Sequence, residues 1–274
     1  MIYSSFANVN LMKKMDQSLD VVIFCGGRGT RLSEKTHEMP KPLIELGEYP
    51  VLWHIMKIYS SFSFNRFILT LGYKGDMIID YFLNRHPFQQ NFTINLADAT
   101  PPKAKEPWEI AFVQTGLDSK TAKRLLLCRD QIRSSRFLAT YGDGVADINL
   151  SELVRKHEKL HREKGVIATI TITRPCSKYG IVKLDGDIVE KFSEKPQMAE
   201  FINVGFMVLE KEIFDYIDPS SDVMFEDTLE AIAHDRKLGY YIHDGFWHAM
   251  DTYKDYVDMN TLWRNDPKWK IWAD

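Results

Sequence analysis

The chain has 274 residues, 45% hydrophobic and 27% charged, with a formal net charge of −3. That supports a full apolar core and excludes a disordered chain or a strongly basic nucleic-acid binder. Cys25, Cys128 and Cys176 lie far apart, with neither disulfide-framework nor zinc spacing, so free thiols in a reducing cytoplasm are expected. No apolar run reaches a membrane span, and Lys13 and Lys14 follow the first apolar residues, the wrong order for a secretory signal.

Residues 1–19 are expected to form an extension ahead of the first strand. Residues 21–25 are a short apolar run ending in glycines, the pattern of a buried parallel strand. The spacing of Leu52, Ile55, Met56 and Tyr59 predicts a helix over 50–62, with Pro50 near its first turn. A second strand is expected at 66–71, followed by a helix over 77–84 capped by Asp76. Residues 86–108 hold four prolines and predict an irregular excursion with strand character near 92–96. Next come a strand at 110–114, a helix over 119–132, and a strand at 137–141 that ends in Gly142-Asp143-Gly144. Leu150, Leu153, Val154, His157 and Leu160 mark a helix, and 166–173 is rich in β-branched residues, as a strand requires. Segments 181–184 and 188–192 flank Asp185-Gly186-Asp187 as a hairpin. A strand at 204–209, a helix over 226–234, a strand at 240–243 and a closing helix over 252–264 complete the chain. This order predicts an α/β fold: a Rossmann-like three-layer sandwich with a mostly parallel mixed sheet and small inserted β elements, in one domain over 20–274. Its nucleotide half is expected at about 20–147 and its acceptor half at about 148–251.

The loop Gly26-Gly27-Arg28-Gly29-Thr30-Arg31-Leu32 follows the first strand, where open α/β sheets bind ligands. Glycines let successive backbone N–H groups close around an oxyanion, and Arg31 adds a planar donor fork suited to phosphate. Lys41, between Pro40 and Pro42, is a cation on a stiff segment. A dinucleotide loop needs a third glycine where Leu32 stands, and the Walker A lysine pattern is absent. Asp143 and Asp251 are candidate hard-oxygen ligands for Mg²⁺, although each position also suits a tight-turn or helix-capping aspartate.

The glycine loop, together with Pro40-Lys41-Pro42-Leu43, resembles the signature of the sugar-phosphate nucleotidyltransferases. Residues 50–59, Gly72-Tyr73-Lys74-Gly75, Tyr141-Gly142-Asp143-Gly144 and Met250-Asp251-Thr252 make it most similar to the glucose-1-phosphate cytidylyltransferases of that family. The resemblance covers residues 20–272. It implies a cytoplasmic, homo-oligomeric, Mg²⁺-dependent enzyme of nucleotide-sugar and polysaccharide biosynthesis. That enzyme would transfer CMP from CTP to a sugar 1-phosphate, with no nucleic-acid or membrane partner. It further implies that Gly26, Gly27, Gly29, Thr30, Arg31, Lys41, Arg124, Gly142 and Asp143 bind the nucleotide, and that Asp143 and Asp251 share the metal. Tyr179, Gly180, Glu194, Lys195 and Asn203 would bind the acceptor, with Arg31, Lys41 and Lys195 as the catalytic cations.

The chain departs from the family at Thr121-Ala122-Lys123-Arg124, where two glycines are replaced, and around Tyr179-Gly180-Ile181, Asn203-Val204-Gly205-Phe206-Met207 and Phe225-Glu226. Two alternatives therefore stay open: a different phosphorylated acceptor, or a catalytically silent sugar-nucleotide-binding regulator. A dinucleotide-dependent oxidoreductase is disfavoured, because the second strand ends in Leu71-Gly72 instead of an acidic residue.

Overall fold

The computed structural model describes residues 19–88 and 105–273. The expected extension before residue 19 and the strand character near 92–96 lie outside these residues. In chain order the strands are β1 (Asp20–Phe24), β2 (Glu45–Leu46), β3 (Tyr49–Pro50), β4 (Arg66–Leu71), β5 (Glu109–Gln114), β6 (Arg136–Tyr141) and β7 (Gly144–Ala146). They continue with β8 (Ala168–Thr173), β9 (Ile181–Asp185), β10 (Ile188–Ser193), β11 (Ile202–Glu210), β12 (Leu238–Ile242) and β13 (Trp247–Ala249). Beyond a single turn at Ser33–Thr36, the α-helices are α1 (Val51–Ser60), α2 (Gly75–Asp80), α3 (Thr121–Leu127), α4 (Leu150–Lys164), α5 (Phe225–His234) and α6 (Tyr253–Asn265).

Seven strands form one sheet in the order β12-β8-β11-β6-β1-β4-β5. All its pairs are parallel except those of β11, which runs antiparallel to both β6 and β8. The pleat of β1 explains the layers. Val21 and Ile23 enter one core with Leu52, Ile55, Met56 and Tyr59 of α1, while Val22 and Phe24 enter the other with Leu125 of α3 and Phe225 and Leu229 of α5. A strand buried on both faces is apolar wherever no partner meets a charge: β1 is buried throughout, Val21 to Phe24 are apolar, and its one charged residue, Asp20, pairs with Arg66 at 2.5 Å. The result is a three-layer α/β sandwich, with the small pairs β2–β3, β7–β13 and β9–β10 attached.

Two local expectations are corrected. Asp76 does not cap its helix. Lys74 takes the cap position in a left-handed conformation (φ 50°), and Asp76 lies in the first turn. The helix starts early because Gly75 packs tightly on the strand end: a Cβ there would sit 2.8 Å from the Cβ of Leu71. The helix expected over 119–132 stops at Leu127, where the Cys128 amide bonds to the Leu125 carbonyl at 3.0 Å and tightens the last turn. A separate turn, Arg129–Gln131, follows. The hairpin expectation holds: Ile188 pairs with Asp185 around Gly186, whose φ is +56°.

Because β1, β4, β5 and β6 run parallel, their carboxyl ends share one edge of the sheet. The glycine loop, Gly72, the 115–120 segment and Gly142-Asp143 all emerge there.

Candidate active site

At that edge lies a cavity of about 620 Å³, lined by the glycine loop, Lys41, the 117–121 segment, the end of β6 and the residues around Asp251. The loop turns on Gly29 (φ +62°), and the Leu32 amide donates to the Gly29 carbonyl at 3.0 Å. The Thr36 hydroxyl donates to the carbonyls of both Gly29 and Leu32 at 3.1 Å. Leu32, which stands where a dinucleotide loop would carry its third glycine, is fully buried and anchors the loop in the core. Gly27 is open: a Cβ there would meet nothing within 4 Å.

Lys41 sits in a short turn closed by the Leu43 amide on the Pro40 carbonyl at 2.9 Å. Its Nζ donates to Asp143 Oδ2 at 2.7 Å and to Asp251 Oδ1 at 2.8 Å. Burial alone would lower the Lys41 pKa, but the two carboxylates outweigh it and the net shift is upward. Arg31 approaches Asp251 as well, with nitrogen–oxygen distances of 3.2 and 3.3 Å.

The fold thus brings together residues 31, 41, 143 and 251. Asp143 ends β6, and the short β7–β13 ribbon carries the chain back to it: the Met250 amide donates to the Asp143 carbonyl at 2.9 Å. Asp251 does not cap α6. Thr252 does, in a reciprocal box with Asp255, which leaves the Asp251 carboxylate to face the cavity.

Arg124 is 3% exposed. Its guanidinium donates to the carbonyls of Gly26 (3.0 Å), Gly116 (2.9 Å), Leu117 (3.2 Å) and Leu71 (3.3 Å), and to the Thr115 hydroxyl (2.5 Å). It binds the glycine loop, the end of β4 and the 115–117 segment into one unit and itself lines the cavity.

Of the expected acceptor residues, Asn203 lines the cavity and accepts the Gly205 amide at 3.0 Å on its Oδ1. Tyr179, Gly180, Glu194 and Lys195 do not line it. They gather at the base of the β9–β10 hairpin, where Lys195 lies 3.8 Å from Glu194 and both side chains are exposed. Thr30 is exposed at the rim, outside the lining. Glu226, which carries no site motif in the sequence, lines the cavity and accepts the Tyr141 hydroxyl at 2.5 Å. Met224 and Leu117 add exposed apolar surface, and Arg28 reaches across the mouth to Asp118 at 2.8 Å. Their signal in the sequence was weak, because no spacing rule links residues 24 to 31 with 117 to 121 and 224 to 226.

No histidine is among the lining residues. Cys25 lines the cavity, but burial pushes its thiol pKa up and nearby Asp143 adds to the effect, so it is not a thiolate nucleophile. What the cavity offers is the glycine loop, five basic residues (Arg28, Arg31, Lys41, Lys120 and Arg124) and two convergent carboxylates. That suits a polyphosphate with a hard divalent cation and requires no covalent intermediate on the protein.

The family described as nucleotidyl transferase matches residues 20–265 of the chain. The chain is 42% identical over 258 residues to the probable glucose-1-phosphate cytidylyltransferase of Bacillus subtilis, covering 93% of this chain and 100% of that protein. It is 38% identical over 260 residues to the glucose-1-phosphate cytidylyltransferase of Salmonella typhi, again covering 93% and 100%. The UTP-bound UGPase of Acinetobacter baumannii shares the fold, with a TM-score of 0.65 at 16% identity over 91% of this chain and 95% of that one. Among the described residues no helix is long and apolar enough to cross a membrane.

Proposed function

The chain belongs to the nucleotidyl transferase family, and on that premise we propose that it transfers CMP from CTP to a sugar 1-phosphate, with glucose 1-phosphate as the foremost acceptor. The observation that carries this reading is the convergence of Asp143 and Asp251 on one ammonium beside the glycine loop, in a chain 38–42% identical to glucose-1-phosphate cytidylyltransferases.

In the reaction, a phosphate oxygen of the acceptor forms a bond to the α-phosphorus of CTP as the bond to the bridging α–β oxygen breaks, and pyrophosphate leaves. The attacking oxygen is already anionic at neutral pH, so no general base is required. Catalysis rests on alignment and on neutralising phosphate charge. The amides of Gly26, Gly27 and Gly29 cradle the triphosphate, Arg31 and Lys41 neutralise it, and Gly142 lets the β6 end approach it. Arg124 holds the carbonyl side of the loop so that its amide side is presented to the nucleotide. Asn203 takes the sugar from the cavity wall, and Lys195, Tyr179, Gly180 and Glu194, which lie outside the cavity at the base of the β9–β10 hairpin, are assigned to the acceptor phosphate and sugar by the family resemblance alone.

Asp143 and Asp251 would hold Mg²⁺, which supplies charge neutralisation at the non-bridging oxygens when bound. Two carboxylates fit an ion that completes its coordination with water and phosphate. They already converge on a cation in the structure, at 2.7 and 2.8 Å.

Assembly into a homo-oligomer belongs to the same reading. The β9–β10 hairpin leaves Ile181, Leu184, Ile188 and Phe192 exposed, apolar surface that a second subunit would cover. The deciding experiment is pyrophosphate release by the purified protein with each of the four common nucleoside triphosphates and a panel of sugar phosphates. Release is expected with CTP and glucose 1-phosphate in Mg²⁺, and no release with any pair overturns the proposal.

A further inference from the structure

Lys41 occupies the space between the two carboxylates read as metal ligands. Its ammonium is the common partner of Asp143 and Asp251, at 2.7 and 2.8 Å. Arg31 adds a second positive charge on Asp251 at 3.2 Å. Two positive and two negative side chains therefore form a neutral cluster. An ion shared by both carboxylates and an ammonium bonded to both cannot occupy one point, because like charges in contact at a partly buried site repel strongly. The Lys41 stem also lies against the glycine turn: a Cβ on Gly29 would meet Lys41 Cβ at 3.2 Å and Cδ at 3.5 Å. The backbone of Lys41 is held by its flanking prolines and by the Ile44 amide bonding back to it at 3.1 Å. Only the outer torsions of the side chain are left to carry the ammonium from the carboxylates to the adjoining loop.

We infer that Lys41 is an internal stand-in for the metal: it holds Asp143 and Asp251 together in the metal-free enzyme and is released to the triphosphate loop when a divalent cation takes its place. This rests on the reading of those two aspartates as the metal ligands. Lys41 and Arg31 are then stored on the carboxylates and become free to neutralise phosphate only once the cation is in place, so the metal-loaded site gains positive charge from both sources. The neutral resting cluster also spares the enzyme two repelling carboxylates.

Mn²⁺ binding to the nucleotide-free protein, read from the electron paramagnetic resonance signal of the free ion, tests this without turnover. Lys41→Met, which keeps the stem and removes the charge, should bind Mn²⁺ at least about tenfold more tightly than the natural chain. Arg31→Gln, at an exposed position where folding is not at risk, should tighten it roughly two- to threefold. Asp143→Asn and Asp251→Asn should each weaken it. If both cation variants bind Mn²⁺ like the natural chain while the aspartate variants weaken it, the stand-in role is overturned and the metal ligands stand. If Mn²⁺ binding is indifferent to both aspartates, the metal assignment falls and the stand-in role falls with it. Should Lys41→Met fail to fold, Lys41→Gln, which also removes the charge, takes its place in the same comparison.

Discussion

Adjacent glycines in the phosphate loop are required for opposite reasons. A Cβ on Gly26 would lie 2.1 Å from Arg124 Nη1 and 2.4 Å from its Cζ. Arginine ends are often flexible, but this one is 3% exposed and fixed by acceptors on three segments. Gly26→Ala must therefore displace the guanidinium and leave buried carbonyls short of a donor, at a cost of about 2 kcal/mol. Gly27 faces open space, so Gly27→Ala should fold with unchanged stability while its methyl intrudes on the triphosphate and raises the CTP KM. Urea denaturation and CTP titration of the two variants should separate, stability falling at 26 and affinity at 27. A stability loss at 27, or none at 26, would show that the loop is not built this way. At this scale much was readable in advance. Proline-flanked Lys41 and Asp143 between glycines are local patterns; Asp251 read equally well as a helix cap, a place that Thr252 takes instead, and the chain brings all three together. The partners of Arg124 were not readable, because a sequence does not say which carbonyls a long side chain will find.

At the scale of elements, strands with strong apolar character were readable and short ones were not. β1, β4, β6 and β8 announce themselves as buried runs. β7 and β13 have three residues each, lie about a hundred positions apart in the chain, and carry no periodicity, yet their pairing carries Asp251 to Asp143. The antiparallel course of β11 was equally hidden, since strand direction leaves no mark in composition. The ribbon hands over to α6 through the Thr252–Asp255 box, and Asp255 does more than cap. Its Oδ2 accepts the Asp251 amide at 3.1 Å, the Thr252 amide at 2.7 Å and the Thr252 hydroxyl at 2.8 Å. Burial acts to raise the Asp255 pKa, but these bonds and His248 outweigh it and lower the pKa, so the carboxylate stays ionised at neutral pH. Asp255→Ala should cost about 1–2 kcal/mol of stability and release the Asp251 backbone. Its kcat should fall at limiting Mg²⁺ and partly recover at high Mg²⁺. Thr252→Ala, which loses the hydroxyl and its methyl but keeps the Asp255 carboxylate on both amides, should cost about 1 kcal/mol with near-normal Mg²⁺ dependence. Thermal unfolding and Mg²⁺ titration of the two variants check this, and equal Mg²⁺ dependence in both would reduce Asp255 to a simple cap.

The whole molecule is closed by aromatic residues that join its two ends. His54, on α1, is fully buried, donates from Nε2 to the Leu46 carbonyl at 2.9 Å, and accepts the Trp269 indole N–H on Nδ1 at 3.3 Å, across 215 positions of sequence. Trp263 packs edge-on to the same ring with centroids 4.6 Å apart. A neutral imidazole satisfies both bonds. A protonated ring would set an N–H against the indole N–H inside the core. Burial lowers the His54 pKa to about 4, with the Leu46 bond opposing it only in part. An unfolded histidine titrates near 6.5. Above pH ~6.5 neither state takes the proton and the packing contributes in full. As pH falls from there toward 4, the unfolded chain binds a proton that the folded chain refuses, and stability drops by about 3 kcal/mol over that window. His54→Gln keeps a donor for Leu46 and removes the titration. Urea unfolding of the natural chain and of His54→Gln between pH 7.5 and 4.5 should therefore converge as the pH is lowered, with the natural chain falling more steeply by close to one proton. Parallel curves would mean that His54 does not carry the acid sensitivity of the closure, and that the cost of acid falls on the surface carboxylates instead.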